Sequence, residues 1–512
     1  MKIKTALISV SDKTGLIEFA KELEKNNVKI ISSGGTHKKL SEAKVKCVSV
    51  EDITKFPEML EGRIKTLHPN IHGGLLAKRN KEHLEQLAKQ GIETIDLVVV
   101  NLYPFKKITS KENVAIEEAI ENIDIGGPTM IRSAAKNHAY VGVVVSHEQY
   151  AKVLADLKAN EFALSEKMKK ELATEAFHHT AIYDSMISAY LREKYATGKF
   201  PNELTLGFEK AGSLRYGENP HQEAALYKEP IRGKGCLVDA IQLNGKELSF
   251  NNYNDTNGAL EIIKEFDEAP AVVIVKHANP CGVATAKTLE TAFERALECD
   301  PASAFGGIIA LNKKCDLATA KKITSFFNEV VIAPGFEDNA IEELKTKKNL
   351  RILALENVTN KVKGFDYKHI TGGLLVQEKD FVGEIKLENK GELELNAEDK
   401  KELEFAWKIV KHVKSNAIVL TKNNATIGIG VGQTSRVKAA EQAIAQAGEK
   451  AKGSFMASDA FFPFKDSIEL AASAGIKAII EPGGSINDDE VIEEAKKQGI
   501  ALYFTGKRHF KH

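Results

Sequence analysis

Apolar runs at Ala6–Val10, Val28–Ile31, Val45–Val50, Leu97–Val100 and Val141–Val145 alternate with stretches of helical period across the first 195 residues. Short β-branched runs interleaved with helical segments predict a parallel sheet wound with helices. Leu16, Phe19, Ala20 and Leu23 fall at i, i+3, i+4 and i+7, so the first helix should bury that face. Its start is expected within Ser11-Asp12-Lys13-Thr14-Gly15, where Ser or Asp caps free N–H groups. From about Val153 to Tyr195 the chain is charged and helix-compatible, with His178-His179 read as surface or packing histidines. Ala196-Thr197-Gly198 then breaks the pattern, which sets residues 1–195 as one domain and 196–204 as a linker.

The sharpest strand signal is Ala271-Val272-Val273-Ile274-Val275, which Asn279-Pro280 and Gly282 are expected to stop. Lys276 and His277 then stand at a strand end, where side chains leave a packed sheet and face a crevice. A fixed cation beside a group that exchanges a proton near neutral pH suits acid/base work. A solvated pair capping a strand is an equally good reading of these two residues alone. The helix, strand and glycine-loop order recurs around Trp407, Ile418-Val419 and Gly428–Gly432, and Ser458-Asp459-Ala460-Phe461 echoes Ser303-Ala304-Phe305-Gly306, which hints at a diverged duplication.

Length changes this picture by multiplying domains: 512 residues exceed one core and suggest roughly three. The 71 Lys and Arg balance the 71 Asp and Glu, so no global field recruits nucleic acid or an anionic membrane. Five scattered cysteines without a C-x-x-C pair argue against a disulfide framework and a Cys-rich zinc site. No signal-like segment precedes the first strand and no apolar run reaches membrane-spanning length, so a cytoplasmic location is expected.

Candidate chemistry clusters at predicted strand ends. Ser32-Ser33-Gly34-Gly35-Thr36 precedes a helical segment and suits a phosphate or an ordinary tight turn. Phe56–Gly74 packs Arg63, Lys65, His68, His72 and several glycines into a stretch of little periodicity. Pro69 is expected to spoil the helix that metal ligation by His68 and His72 would use, so the two are read as structural or substrate-facing. Asn101–Phe105 follows the fourth strand, and Asp124-Ile125-Gly126-Gly127-Pro128-Thr129 opens a helix leading to Arg132 and Lys136. Arg215-Tyr216-Gly217-Glu218-Asn219-Pro220 joins an aromatic to a guanidinium able to hold phosphate, or forms a salt-bridged turn.

S-V-S-D-K-T-G, S-S-G-G-T, F-P-E-M-L-E-G-R-I-K-T-L-H-P, N-L-Y-P-F and I-D-I-G-G-P-T-M-I-R-S-A-A-K-N resemble the cyclohydrolase half of the bifunctional AICAR transformylase/IMP cyclohydrolase family of purine biosynthesis. R-Y-G-E-N-P-H-Q, K-H-A-N-P-C-G, A-F-G-G-I-I-A, K-S-N-A-I-V, G-I-G-V-G-Q-T-S-R, S-D-A-F-F-P-F and F-T-G-K-R-H-F resemble its transformylase half. The resemblance implies a methylglyoxal-synthase-like parallel-sheet domain followed by two cytidine-deaminase-like α/β subdomains, at 205–375 and 376–512. It further implies formyl transfer from 10-formyltetrahydrofolate to AICAR, then ring closure of the formylated product to IMP with loss of water.

By matching position, Ser11, Asp12, Lys13, Ser33, Gly34, Gly35, Thr36, Arg63, Ile64, Lys65 and Thr66 would hold the nucleotide of the cyclohydrolase site. Asn101, Asp124 and Ile125 would line its base site, Lys136 would be the acid/base residue, and Tyr103 would orient the oxyanion. In the second half His277 would be the general base, Lys276 would stabilise developing negative charge and Asn416 would assist. Arg215, Tyr216, Asn252, Gly306, Glu329 and Arg436 would bind the aminoimidazole nucleotide, with Asp an alternative to Glu329 in the family. Phe461, Asp466, Ser485 and Arg508 would contact the folate. The resemblance also implies a homodimer with transformylase sites at the interface, and leaves a structural monovalent cation open. Pro280-Cys281 echoes a zinc deaminase, but Ala284 and Asn279 stand where ligand and acid belong, so no zinc is expected. A nucleotide sensor without turnover is the competing class, disfavoured by the intact Lys136, Lys276 and His277.

Overall fold

The five apolar runs of the N-terminal stretch become β1 (Thr5–Val10), β2 (Lys29–Ser32), β3 (Cys47–Ser49), β4 (Leu97–Asn101) and β5 (Gly142–Val144). They pair in parallel, in the order β3-β2-β1-β4-β5, so the winding direction reverses between β1 and β4. In such sheets the loops diverge at the reversal and leave a crevice at the strand C-termini. The computed structural model describes residues 2–111 and 113–512, and the chain divides into two compact units, Met1–Glu209 with Tyr227–Arg232 and Lys210–Leu226 with Gly233–His512.

Helix α1 (Leu16–Lys25) buries Leu16, Phe19, Ala20 and Leu23 against the sheet, as their spacing requires. Its start differs from expectation: Gly15, at φ 65°, is the cap residue, and no side chain caps the helix. The Asp12 carboxylate accepts instead from the Thr14 N–H and hydroxyl, closing a local turn ahead of the helix. Helix α2 (Gly34–Glu42) follows β2 directly. Helix α3 (Pro69–Leu76) corrects the reading of Pro69, which begins a helix, where its missing N–H would have lacked a partner anyway. His68 accepts from the Asn70 N–H to cap it, and His72 meets the Ser133 hydroxyl at 3.2 Å on α4 (Gly126–Lys136). The last helix of this unit is α5 (Glu166–Tyr195).

Two short strands, β6 (Glu209–Leu214) and β7 (Ala224–Lys228), come next in sequence. The second unit then holds two six-stranded mixed sheets. The first has β8 (Ile241–Asn244), β9 (Ala271–Lys276), β10 (Asn279–Thr285), β11 (Gly307–Leu311), β12 (Asn328–Ala333) and β13 (Arg351–Ala354), in the order β10-β9-β11-β12-β13-β8. After a hairpin of β14 (Phe365–Ile370) and β15 (Gly373–Glu378) comes the second, with β16 (Glu388–Asn389), β17 (Ile418–Thr421), β18 (Thr426–Gly430), β19 (Phe455–Ser458), β20 (Ala478–Glu481) and β21 (Ala501–Phe504). Its order, β18-β17-β19-β20-β21-β16, and every strand direction repeat the first sheet.

The repeat extends to the helices. Helix α6 (Phe250–Ile263) precedes β9 as α8 (Ala397–Val410) precedes β17, and α7 (Leu289–Leu297) follows β10 as α9 (Arg436–Ala447) follows β18. Both following helices press onto glycines: a Cβ on Gly282 would stand 1.8 Å from the Ala296 carbonyl oxygen, and one on Gly430 1.9 Å from that of Ala439. The duplication is therefore real, although the motif echo that hinted at it is not part of it. Ser303–Gly306 precedes β11 whereas Ser458–Phe461 runs from the last residue of β19 into the loop after it, at opposite ends of matching strands. The two sheets meet at β10 and β18, where Ala284 bridges Ala425 and the Val283 N–H donates to Thr426 Oγ1 at 2.9 Å.

At β9 the turn comes earlier than Asn279-Pro280. The strand reverses through His277 and Ala278, at φ 51° and 57°, in the two-residue turn whose twist suits a hairpin. Asn279–Thr285 is itself a strand, and Pro280 is tolerated because β10 is an edge and its register slips there.

Candidate active sites

The C-terminal ends of β1, β2 and β4 open on a cleft of about 610 Å³. Ser11, Lys13, Ser33, Gly34, Gly35, Thr36, Arg63, Lys65, Thr66, Asn101, Tyr103, Asp124 and Ile125 line it together, drawn from five separate stretches of sequence. Asp12 and Ile64 belong to the same loops without lining the cleft. Asn101 ties two of the loops: its Oδ1 accepts from the Ser11 and Asp12 N–H groups at 2.6 and 3.0 Å. A Cβ on Gly34 would stand 3.7 Å from Lys65 Nζ and one on Gly35 3.9 Å from Lys13 Nζ, so two ammonium groups overhang the first turn of α2. Ser33 leaves that helix start without a side-chain cap, and its free N–H groups join the cations in favouring an anion.

The far wall carries groups suited to proton transfer. Burial raises the Asp124 carboxyl above its ordinary value, against the opposing effect of hydrogen bonds from the Gly127 and Tyr103 backbone. Burial, then the charge of Asp124, raises the Tyr103 hydroxyl, so it stays protonated and able to donate. Burial works to lower Lys65, but hydrogen bonds to Glu58 and Glu51 at 2.6 and 2.9 Å outweigh it and the ammonium is held charged. Arg63 pairs with Glu121. Sequence reading assigned none of these three glutamates a role: Glu51 and Glu121 carry no motif, and Glu58 stands in the Phe56–Pro69 stretch unremarked beside its cations. Lys136 lies elsewhere: it is exposed in the last turn of α4, ten residues beyond Gly126 and so roughly 15 Å along the axis. It does not line the cleft of its own chain.

In the second unit Arg215, Tyr216, Asn252, Lys276, His277, Gly306 and Glu329 come together around a cleft of about 400 Å³. Lys276 is at the C-terminal end of β9, as expected, but β9 runs antiparallel to β11, so the cleft lies at the starts of β11, β12 and β13. Lys276 Nζ donates to the Gly306 carbonyl at 2.9 Å. Gly306 sits at φ 70°, and a Cβ there would approach that Nζ to 3.1 Å. Asn252 Nδ2 donates to Glu329 Oε2 at 2.7 Å, and the Arg351 guanidinium lies 3.5 Å from the same oxygen. Arg351 and Asp255 line this cleft without having been expected, because each stands in an ordinary strand or helix sequence. The Arg215 guanidinium lies over the Tyr216 ring, 5.6 Å from its centroid. A second cleft of about 490 Å³ meets the first at Lys276 and His277 and is lined by Cys281, Asp300 and Gln442 among others. Burial pushes the Cys281 thiol up to about 12, which leaves it unreactive.

The remaining predicted residues lie outside both clefts. Arg436 is 6% exposed and gives its guanidinium to Asp459, to Ser458 Oγ at 2.8 Å and to Asn416 Oδ1 at 2.7 Å. Asn416 in turn donates to the Gln433 carbonyl at 2.8 Å. Phe461, Asp466, Ser485 and Arg508 lie just beyond β19, β20 and β21, at the strand C-termini. The first two loops are joined by Asn487 Nδ2 donating to the Pro463 carbonyl at 2.7 Å, and Arg508 lies over Phe510 at 4.7 Å. Among the described residues no cluster of three or more His, Cys, Asp or Glu is placed to hold a metal ion, and no helix is long and apolar enough to cross a membrane.

A family model described as AICARFT/IMPCHase bienzyme matches residues 134–446, and one described as an MGS-like domain matches 15–129. The five-stranded sheet accordingly is the methylglyoxal-synthase-like domain, and the two six-stranded halves are compatible with deaminase-like subdomains. The bifunctional purine biosynthesis protein PurH of Acetivibrio thermocellus is 55% identical over 515 residues, covering 100% of both chains. PurH of Bacillus subtilis is 53% identical over 517 residues, again covering 100% of both. A crystal structure of ForH covers 36% of this chain and 98% of its own at 30% identity and a TM-score of 0.34, too low to speak for the fold. Similar along its whole length to these relatives, the chain belongs to the AICARFT/IMPCHase bienzyme family.

Proposed function

We propose that the chain makes IMP in two steps at the two clefts. In the second unit, the AICAR amine attacks the formyl carbon of 10-formyltetrahydrofolate, His277 takes the amine proton, Lys276 offsets the charge on the formyl oxygen, and tetrahydrofolate leaves. Arg215, Tyr216, Asn252, Gly306 and Glu329 hold the nucleotide, and Arg351 adds a cation beside Glu329. In the first unit, the carboxamide nitrogen attacks the formyl carbon and water is lost. Lys13, Lys65 and the free N–H groups of α2 hold the phosphate, while Asp124 and Tyr103 supply an acceptor and a donor at the ring. The observation that carries this reading is the convergence of residues from distant stretches on two clefts, each with an anion-holding end and a proton-transfer group.

Phe461, Asp466, Ser485, Arg508, Asn416 and Arg436 line neither of the clefts that His277 lines in their own chain, which favours a homodimer whose folate group faces a neighbouring cleft. Lys136 follows the same logic and is proposed to serve the first-unit cleft of a second copy. Mixing Lys136→Ala with Asp124→Asn should then recover ring closure that neither variant shows alone; no recovery would place Lys136 outside this chemistry. The function itself is tested by giving the purified protein AICAR and 10-formyltetrahydrofolate: tetrahydrofolate and IMP should form together. Tight nucleotide binding with neither product would instead favour the sensor.

A further inference from the structure

The turn that presents His277 is unusual in that both of its residues have left-handed backbone, and neither is glycine. A non-glycine residue there costs roughly 1–2 kcal/mol and persists only where its surroundings hold it. The holding group is Asp255 of α6. One carboxylate oxygen accepts from the His277 N–H at 3.2 Å and the other from the Ala278 N–H at 2.9 Å. The helix comes close enough for this because Gly258, one turn on, leaves room: a Cβ there would meet Ala278 Cα at 3.3 Å. On the opposite side Asn279 Nδ2 donates to the His277 carbonyl at 3.1 Å, while its Oδ1 accepts from the Lys414 N–H at 3.1 Å. Both peptide ends of His277 are thus held, and its imidazole alone is left free toward the cleft.

The duplication supplies a comparison inside the same chain. The matching turn of the second repeat is Asn423-Asn424, again left-handed at φ 55° and 58°. There Glu402 of α8 accepts from the Asn424 N–H at 2.6 Å. A carboxylate from the preceding helix therefore holds the hairpin in both halves. Only in the first does the turn carry a histidine and the carboxylate line a cleft with it. Burial raises the Asp255 carboxyl, and the two turn N–H groups and the neighbouring His277 and Lys276 work against that rise.

We propose that Asp255 is a positioning residue for formyl transfer, fixing the left-handed turn so that the His277 imidazole faces the amine. The inference rests on the reading of His277 as the base. Asp255→Asn keeps the shape but replaces one acceptor oxygen by an NH2 that confronts an N–H. It should lower kcat for formyl transfer 10- to 100-fold, with KM for AICAR within about threefold of wild type and ring closure unaffected. Asp255→Glu, which keeps a carboxylate of the kind that holds the turn of the second repeat, should recover part of the loss. In a His277→Ala background Asp255→Asn should add no further loss, because a group that acts through His277 has nothing left to act on. An unchanged kcat in Asp255→Asn, a rise in KM alone, or a full additional loss in the double variant would each overturn the proposal. An inactive His277→Ala beside a fully active Asp255→Asn would overturn this inference alone, whereas a His277→Ala variant as active as wild type would overturn the reading of the site as well.

Discussion

Gly306 carries more of the formyl-transfer site than a residue without a side chain suggests. Its φ of 70° disfavours any side chain, and a Cβ would come within 3.1 Å of Lys276 Nζ and 3.2 Å of the Phe327 ring. Gly306→Ala should displace the ammonium and lower kcat/KM for formyl transfer at least tenfold, while steady-state ring closure of the formylated nucleotide stays at the wild-type rate; equal loss in both would point to a global effect. Glu481, at the end of β20, has a different part. Burial raises its carboxyl to about 8, against a hydrogen bond from the Phe462 N–H, so it is protonated in the folded chain near neutral pH. The unfolded chain ionises it near 4.5, so the folded state binds the extra proton between these values. Stability from this group is complete below the unfolded value and falls as pH rises toward 8. Glu481→Gln, a match for the protonated form, should therefore be more stable than wild type at pH 8.5, by on the order of 5 kcal/mol, with the gap narrowing toward pH 5. A constant gap across that range would contradict it.

At the scale of elements, the strands were legible because buried parallel strands are short unbroken β-branched runs, and each of the five N-terminal runs became one. The turns were less so. Pro69 was misread because the same residue ends a helix from within and begins one from its first position, and Asn279-Pro280 was misread because an edge strand tolerates what a central one rejects. Charge networks between elements were not legible at all. Glu265, just past α6, accepts from Lys361 at 2.5 Å, Lys411 at 3.0 Å and His412 at 3.2 Å, with its side chain only 3% exposed. Burial alone would raise this carboxyl; the three partners hold it well below the carboxylate range. The cluster fastens the first repeat to the segment after α8 in the second. Glu265→Gln leaves the buried Lys411 ammonium without its anion and should cost about 3–5 kcal/mol in denaturant unfolding of the second unit. A loss under about 1 kcal/mol would show that the cations reach water or another partner.

For the whole molecule, the sequence located both clefts through loop motifs at strand ends, since glycine, proline and polar clusters survive as readable strings. It did not locate Asp255 or Arg351, which are brought in from a helix and a strand by packing across many residues. It also assigned Lys136 and Arg436 by position in a motif, where distance along a helix and commitment to an internal ion pair decide what each side chain reaches. The central claim is that one chain carries two separate reactions in two clefts. It is tested most directly by assaying each half-reaction alone, AICAR with 10-formyltetrahydrofolate and then the formylated nucleotide by itself, in His277→Ala and Asp124→Asn. The account predicts that His277→Ala loses formyl transfer by about 10²–10⁴-fold yet closes the supplied ring at the wild-type rate, and that Asp124→Asn does the reverse. Loss of both half-reactions in either variant would contradict two independent sites.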